Sequence, residues 1–119
     1  MLSIKGIGTD IVEISRFQDY KKDDPFIKKC YTQEEITYCF SKGNPAQHLA
    51  ARFAAKEAVI KALYHSNSNT KIEPRQINIT NDNSGVPRVG FSEEKIKENV
   101  FISMSHSNYQ ALAIAVLGP

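Results

Sequence analysis

The spacing of hydrophobic and polar positions changes several times along this chain. Ser3 to Val12 (SIKGIGTDIV) places Ile4, Ile7, Ile11 and Val12 in a short apolar run, which predicts a buried strand. Gly6 and Gly8 within it let another backbone come close. From Glu13 to about Lys42 the pattern is helical, in short pieces. Pro25 suits the first turn of one piece. Thr32 with Glu35 forms a capping box that opens another, running toward Phe40. Ser41 to Pro45 (SKGNP) ends that piece and starts a long helix from about Pro45 to Tyr64. His65 to Lys71 is a polar loop. Gln76 to Thr80 alternates as a strand, Asn81 to Gly85 is a turn, and Pro87 to Phe91 is a short edge strand. Ser92 is placed to cap a short helix, with Glu93 and Glu94 in its first turn. Phe101 to Ser107 and Gln110 to Leu117 read as two strands joined by a tight turn at Asn108-Tyr109. With no repeat, low-complexity tract or linker, the expectation is one α+β domain over residues 1–119, a small antiparallel sheet packed on one long helix.

The long helix carries an unusual arrangement. Leu49, Phe53, Ile60 and Tyr64 share one stripe at 3.6 residues per turn. Ala51, Ala54, Ala55, Ala58 and Ala62 form a side that permits close packing, and Ala111, Ala113 and Ala115 of the last strand match it. Covering both sides desolvates Arg52, Lys56, Glu57 and Lys61 at least in part. Buried charges need partners, since an unpaired one costs several kcal/mol. The pattern also allows a plainer arrangement, in which the alanines face water and the charges pair along the surface.

Asp10 bears on that choice. It sits in an otherwise apolar strand and is followed by Ile11 and Val12, which is no turn sequence. Two carboxylates from separate elements, Asp10 and Glu57, with cations close by, point to a divalent metal and a polyanionic ligand. Magnesium suits this set, because it uses one or two protein carboxylates and fills its remaining positions with water and substrate phosphate. Arg52, Lys56 and Lys61 then hold phosphate oxygens. The alternatives are a hydrogen-bonded core carboxylate for Asp10 and a surface salt bridge for Glu57.

The totals narrow the field. The chain has 119 residues, 41% hydrophobic and 24% charged, with a net charge of +2 and a pI of about 8.5. This balance is too mild for a nucleic-acid binder. MLSIKGIGTD has no long apolar run, so neither a signal peptide nor a membrane span is expected. Cys30 and Cys39 fit no zinc spacing and read as reduced thiols of a cytoplasmic protein. GxGxxG and GxxxxGK[ST] are absent, so Gly6 and Gly8 serve packing and not phosphate binding.

Three segments carry a family resemblance: GIGTDIVEISRF (Gly6 to Phe17), ARFAAKEAVIKAL (Ala51 to Leu63) and SMSHS (Ser103 to Ser107). In this order and spacing they resemble the holo-[acyl-carrier-protein] synthases, the short 4′-phosphopantetheinyl transferases, over nearly the whole chain. The resemblance implies that coenzyme A donates its 4′-phosphopantetheine arm to a serine of apo-acyl carrier protein, releasing adenosine 3′,5′-bisphosphate. It also implies a homotrimer with active sites between subunits. Asp10 and Glu57 become magnesium ligands, and Arg52, Lys56 and Lys61 lie around the phosphates. His106 meets the nucleotide portion of coenzyme A, Pro87 with Gly85 and Val86 forms an adenine wall, and Arg16 faces the carrier protein. The base is Glu57 or a metal-bound water, Lys61 assists the departing phosphate, and transfer is direct. The chain departs from the family after KAL, where Tyr64-His65-Ser66-Asn67 replaces a glycine-rich turn, so no pantetheine contact is carried over there.

Arg16 to Lys29 holds five cations against three acids, which suits an acidic carrier, with Phe17 and Tyr20 as apolar anchors. His48 and His65 read as surface residues, and a satisfied core histidine is the alternative for His106. Two other classes remain open: a non-catalytic coenzyme A or nucleotide-binding module, and a purely structural trimer subunit. The sequence does not say whether the carrier belongs to fatty-acid biosynthesis or to another pathway.

Overall fold

The computed structural model describes residues 3–119. Strand β1 (Gly6–Glu13) leads through a 3₁₀ turn (Ile14–Phe17) to helices α1 (Pro25–Cys30), α2 (Gln33–Phe40) and α3 (Pro45–Ser66). A second 3₁₀ turn (Pro74–Gln76) opens the ribbon of β2 (Ile77–Asn81) and β3 (Pro87–Phe91), and β4 (Asn99–His106) and β5 (Gln110–Gly118) complete the chain. The fold is α+β, as expected. It has two antiparallel sheets, one of order β1-β5-β4 and one formed by β2 and β3 alone.

Local chemistry explains the elements. Pro25 takes the first position of α1. Thr32 and Glu35 close a reciprocal capping box on α2, with Thr32 N–H donating to Glu35 Oε1 at 2.8 Å and Glu35 N–H to Thr32 Oγ1 at 3.2 Å. Between β4 and β5, Ser107 N–H donates to Gln110 O at 2.9 Å, and Ser107 Oγ accepts from the amides of Tyr109 and Gln110.

The expected short helix after Ser92 does not form. Ser92 N–H instead donates to Gln76 O at 2.9 Å, which prolongs the β2–β3 pairing, and one turn from Ile96 N–H to Glu93 O follows.

The core lies along α3. Ala54, Ala55, Ala58 and Ala62 are fully buried, as are Ala111, Ala113 and Ala115 of β5, and α3 packs on both β1 and β5. The alanine side is therefore the packed side. Gly6 and Gly8 bring β1 against the helix backbone: a methyl group at Gly6 would lie 2.2 Å from Ala62 O, and one at Gly8 2.0 Å from Ala58 O.

Strand β1 is buried on one face only. Gly6, Gly8 and Val12 turn inward, so the two-residue period sends Ile7 and Ile11 outward, and Ile4 before the strand is also exposed. Ile7, Ile11, Phe101, Leu112 and Ile114 leave the outer face of the three-stranded sheet apolar and exposed. Among the described residues, no helix is long and apolar enough to cross a membrane.

Candidate active site

Asp10 occupies the inward face of β1, in register with Ala113 of β5. The glycines before it hold this end of the strand close to α3, and Lys61 reaches across from the helix. Its Nζ donates to Thr9 O at 2.9 Å and to Asp10 Oδ1 at 3.3 Å. Glu57, one turn earlier on α3, is half-buried. Burial pushes its carboxyl pKa upward and the charge of Asp10 adds to this, while Lys61 and Arg16 oppose it. Asp10, Glu57 and Lys61 thus form one group on facing elements.

That group is short of positive charge. Asp10 Oδ2 is buried without a hydrogen-bond partner among the described residues. Two carboxylates, one of them with an orphaned oxygen, suit a hard divalent cation that takes its other ligands from water and substrate. The described residues contain no cluster of three or more His, Cys, Asp or Glu side chains, so a site closed by protein ligands is not the arrangement found.

Arg16 stands at the edge of this group. Its guanidinium lies over the ring of Phe53 at 4.8 Å and near Phe17 at 5.4 Å and Phe26 at 6.0 Å. Tyr20 stacks on Phe26 at 4.8 Å. An aromatic cluster therefore holds a cation beside the carboxylates.

Arg52 and His106 form a second group. Positions 52 and 57 are about 140° apart around a helix, so Arg52 points away from Asp10. It is buried, its guanidinium lies 4.1 Å from the centre of the Tyr38 ring, and its Nε has no partner among the described residues. Lys42 Nζ also lies over that ring, at 4.6 Å. His106 Nε2 is 3.0 Å from Gln47 Nε2. Arg52, Tyr38, Gln47, His48 and His106 line a cavity of about 160 Å³. Burial holds the pKa of His48 down, and Arg52, Lys42 and His106 lower it further. His48 is thus part of this cavity and not the surface residue expected. Tyr38 and Gln47 were not legible as members either, because they come from the end of α2 and the first turn of α3.

Lys56 belongs to neither group. Its Nζ meets Glu35 Oε1 at 2.6 Å, Pro74 O at 2.9 Å and Ile77 O at 2.6 Å, and the side chain is fully buried. All three ammonium protons are engaged, which leaves none for a phosphate. Pro87 opens β3 after a turn organised by Asp82 and by Gly85, whose φ is +84°. It pairs with Asn81, which lines the Arg52 cavity, but is not itself among the lining residues. His65 is exposed, and its Nδ1 accepts from Ile7 N–H at 3.1 Å.

The sequence matches the 4′-phosphopantetheinyl transferase superfamily over residues 6–117. The holo-[acyl-carrier-protein] synthase of Thermodesulfovibrio yellowstonii is 42% identical over 119 residues, covering 96% of this chain and 98% of its own. A holo-(acyl-carrier-protein) synthase from Bacillus anthracis, solved in complex with CoA (3′,5′-ADP), has a TM-score of 0.78 at 34% identity and covers 97% of this chain and 96% of its own. The holo-[acyl-carrier-protein] synthase of Neisseria meningitidis has a TM-score of 0.80 at 32% identity, over 97% of this chain and 98% of its own.

Proposed function

The chain belongs to the 4′-phosphopantetheinyl transferase superfamily, among the holo-[acyl-carrier-protein] synthases, and from that membership we propose that it transfers the 4′-phosphopantetheine arm of coenzyme A to a serine of an apo-acyl carrier protein, with magnesium required and adenosine 3′,5′-bisphosphate released. The observation that carries this reading is the convergence of Asp10, Glu57 and Lys61, with Asp10 Oδ2 left unpartnered.

Asp10 and Glu57 would hold the magnesium ion. Bound there, it supplies the positive charge that offsets the diphosphate oxygens shielding the phosphorus. The remaining work falls to side chains. The serine hydroxyl gives its proton to the half-buried carboxylate of Glu57. The serine oxygen bonds to the phosphorus as the bond to the bridging oxygen breaks, and the electron pair leaves with adenosine 3′,5′-bisphosphate. Lys61, anchored on Thr9 O, places its ammonium toward the departing oxygen. Holding serine and phosphorus together contributes as much as about 7–11 kcal/mol through effective molarity. Transfer is direct, with no phosphopantetheinyl-enzyme.

Coenzyme A carries a ribose phosphate besides its diphosphate. The diphosphate belongs at Asp10 and Glu57, so the ribose phosphate falls to Arg52 with His106, and Gly85, Val86 and Pro87 offer a wall for the adenine. The divergence of Arg52 from Asp10, and the exposed apolar face of the sheet, favour a homotrimer whose sites form between subunits. Arg16 and its aromatic cluster suit an acidic carrier protein. We place the enzyme in the cytoplasm, where the buried thiols of Cys30 and Cys39 stay reduced.

Incubation with apo-carrier protein, coenzyme A and magnesium tests the reading. The carrier should gain the mass of one phosphopantetheine, and chelator or Asp10→Ala should abolish the gain. Retention of coenzyme A without carrier modification would instead mark a binding module.

A further inference from the structure

Arg52 is an unusual cation. It is nearly fully buried, yet no carboxylate pairs with it among the described residues. Its closest electrostatic partner is the face of Tyr38, at 4.1 Å. Tyr38 is half-buried and supports more than this one cation. Lys42 lies over the same ring at 4.6 Å, and His48 meets it edge-on at 5.7 Å. Asn81 Nδ2 donates to its hydroxyl at 3.5 Å, a weak bond. A ring face attracts a cation without neutralising it, whereas a carboxylate would satisfy the guanidinium and close it to anions. Tyr38 therefore holds Arg52 in place and leaves its charge available to the cavity shared with His106.

We propose that Tyr38 is a positioning residue: it fixes Arg52, and to a lesser degree Lys42, so that the cavity prefers a nucleotide bearing a ribose phosphate over one that lacks it. The inference rests on the assignment of that cavity to the ribose phosphate of coenzyme A. The ring face does this work and the hydroxyl contributes little, since its contact with Asn81 is long.

The test is calorimetric binding of adenosine 3′,5′-bisphosphate and of adenosine 5′-monophosphate to the assembled protein. Wild type should prefer the bisphosphate, and Arg52→Ala should erase most of that preference. Tyr38→Leu should reduce it by about tenfold, the scale of a partly desolvated cation–π contact, with monophosphate binding held. Tyr38→Phe should restore it. Fluorinated phenylalanines at position 38 weaken the ring's negative face at nearly constant shape and should lower the preference stepwise, which keeps the test open if Tyr38→Leu folds poorly. No preference in wild type would overturn the cavity assignment itself. A wild-type preference unchanged in Tyr38→Leu, or equal weakening of both nucleotides with no response to fluorination, would overturn the role of Tyr38 alone.

Discussion

Lys56 Nζ lies 2.6 Å from Glu35 Oε1, and neither side chain reaches solvent. The pair is a junction. Glu35 also accepts from Thr32 N–H at 2.8 Å and Ile79 N–H at 2.6 Å, and Lys56 donates to Pro74 O and Ile77 O. One ion pair therefore fastens α2, α3 and the β2–β3 ribbon together. Burial pulls the Lys56 pKa down, and Glu35 counters that.

Lys56→Met should destabilise the fold by about 3–5 kcal/mol, because it leaves Glu35 buried and unpaired. Denaturant unfolding measures this. An unchanged midpoint with loss of coenzyme A binding would return Lys56 to the phosphate site.

Gly8→Ala should destabilise by at least the ~1–3 kcal/mol of an overpacked core, since its methyl group would meet Ala58 O at 2.0 Å. The clash is with backbone, so the strand must move, and Asp10 moves with it. Carrier modification should fall by more than the lost stability accounts for. Activity that simply tracks the folded fraction would show that Asp10 tolerates the shift.

Glu57 is a carboxyl whose folded pKa is raised, by burial first and by Asp10 second. Such a group favours folding below its unfolded pKa, and that contribution is lost as pH rises through the folded value. Without magnesium, Glu57→Gln should therefore melt higher than wild type near neutral pH, while activity is lost. The gain should shrink as pH falls through the raised Glu57 pKa toward the ordinary carboxylate range. Melting curves across pH decide it, and a gain that grows toward acid would contradict the sign.

Arg16→Glu should raise the KM for carrier protein by about tenfold and flatten its salt dependence, with coenzyme A binding nearly constant. Matched losses for both substrates would place Arg16 at the phosphates instead.

Much of this was legible in the sequence where local chemistry decides. The capping box at Thr32 and Glu35, the proline at the start of α1 and the strand Pro87–Phe91 all formed as read. Asp10 stood out because a carboxylate in an apolar strand needs a partner, and the structure sets it against Lys61 and beside Glu57. Lys56 was misleading for a related reason. Helical spacing shows that a charge is covered but not what covers it, and its partner Glu35 sits 21 positions earlier on another helix. The Arg52 cavity was half-legible, since Tyr38, Gln47 and His48 join it only through the packing of α2, α3 and β4. The outward turn of Ile7 and Ile11 follows from which face of β1 the glycines give to the helix, a choice that alternation alone leaves open.

The missing side chains at Gly6 and Gly8 also act as a key. Sliding β1 two residues along α3 would bring Asp10 to the place of Gly8, where its Cβ would strike the carbonyl of Ala58. The strand thus has one allowed lengthwise setting on the helix, and the reach from Asp10 to Lys61 is fixed by two positions that carry no side chain.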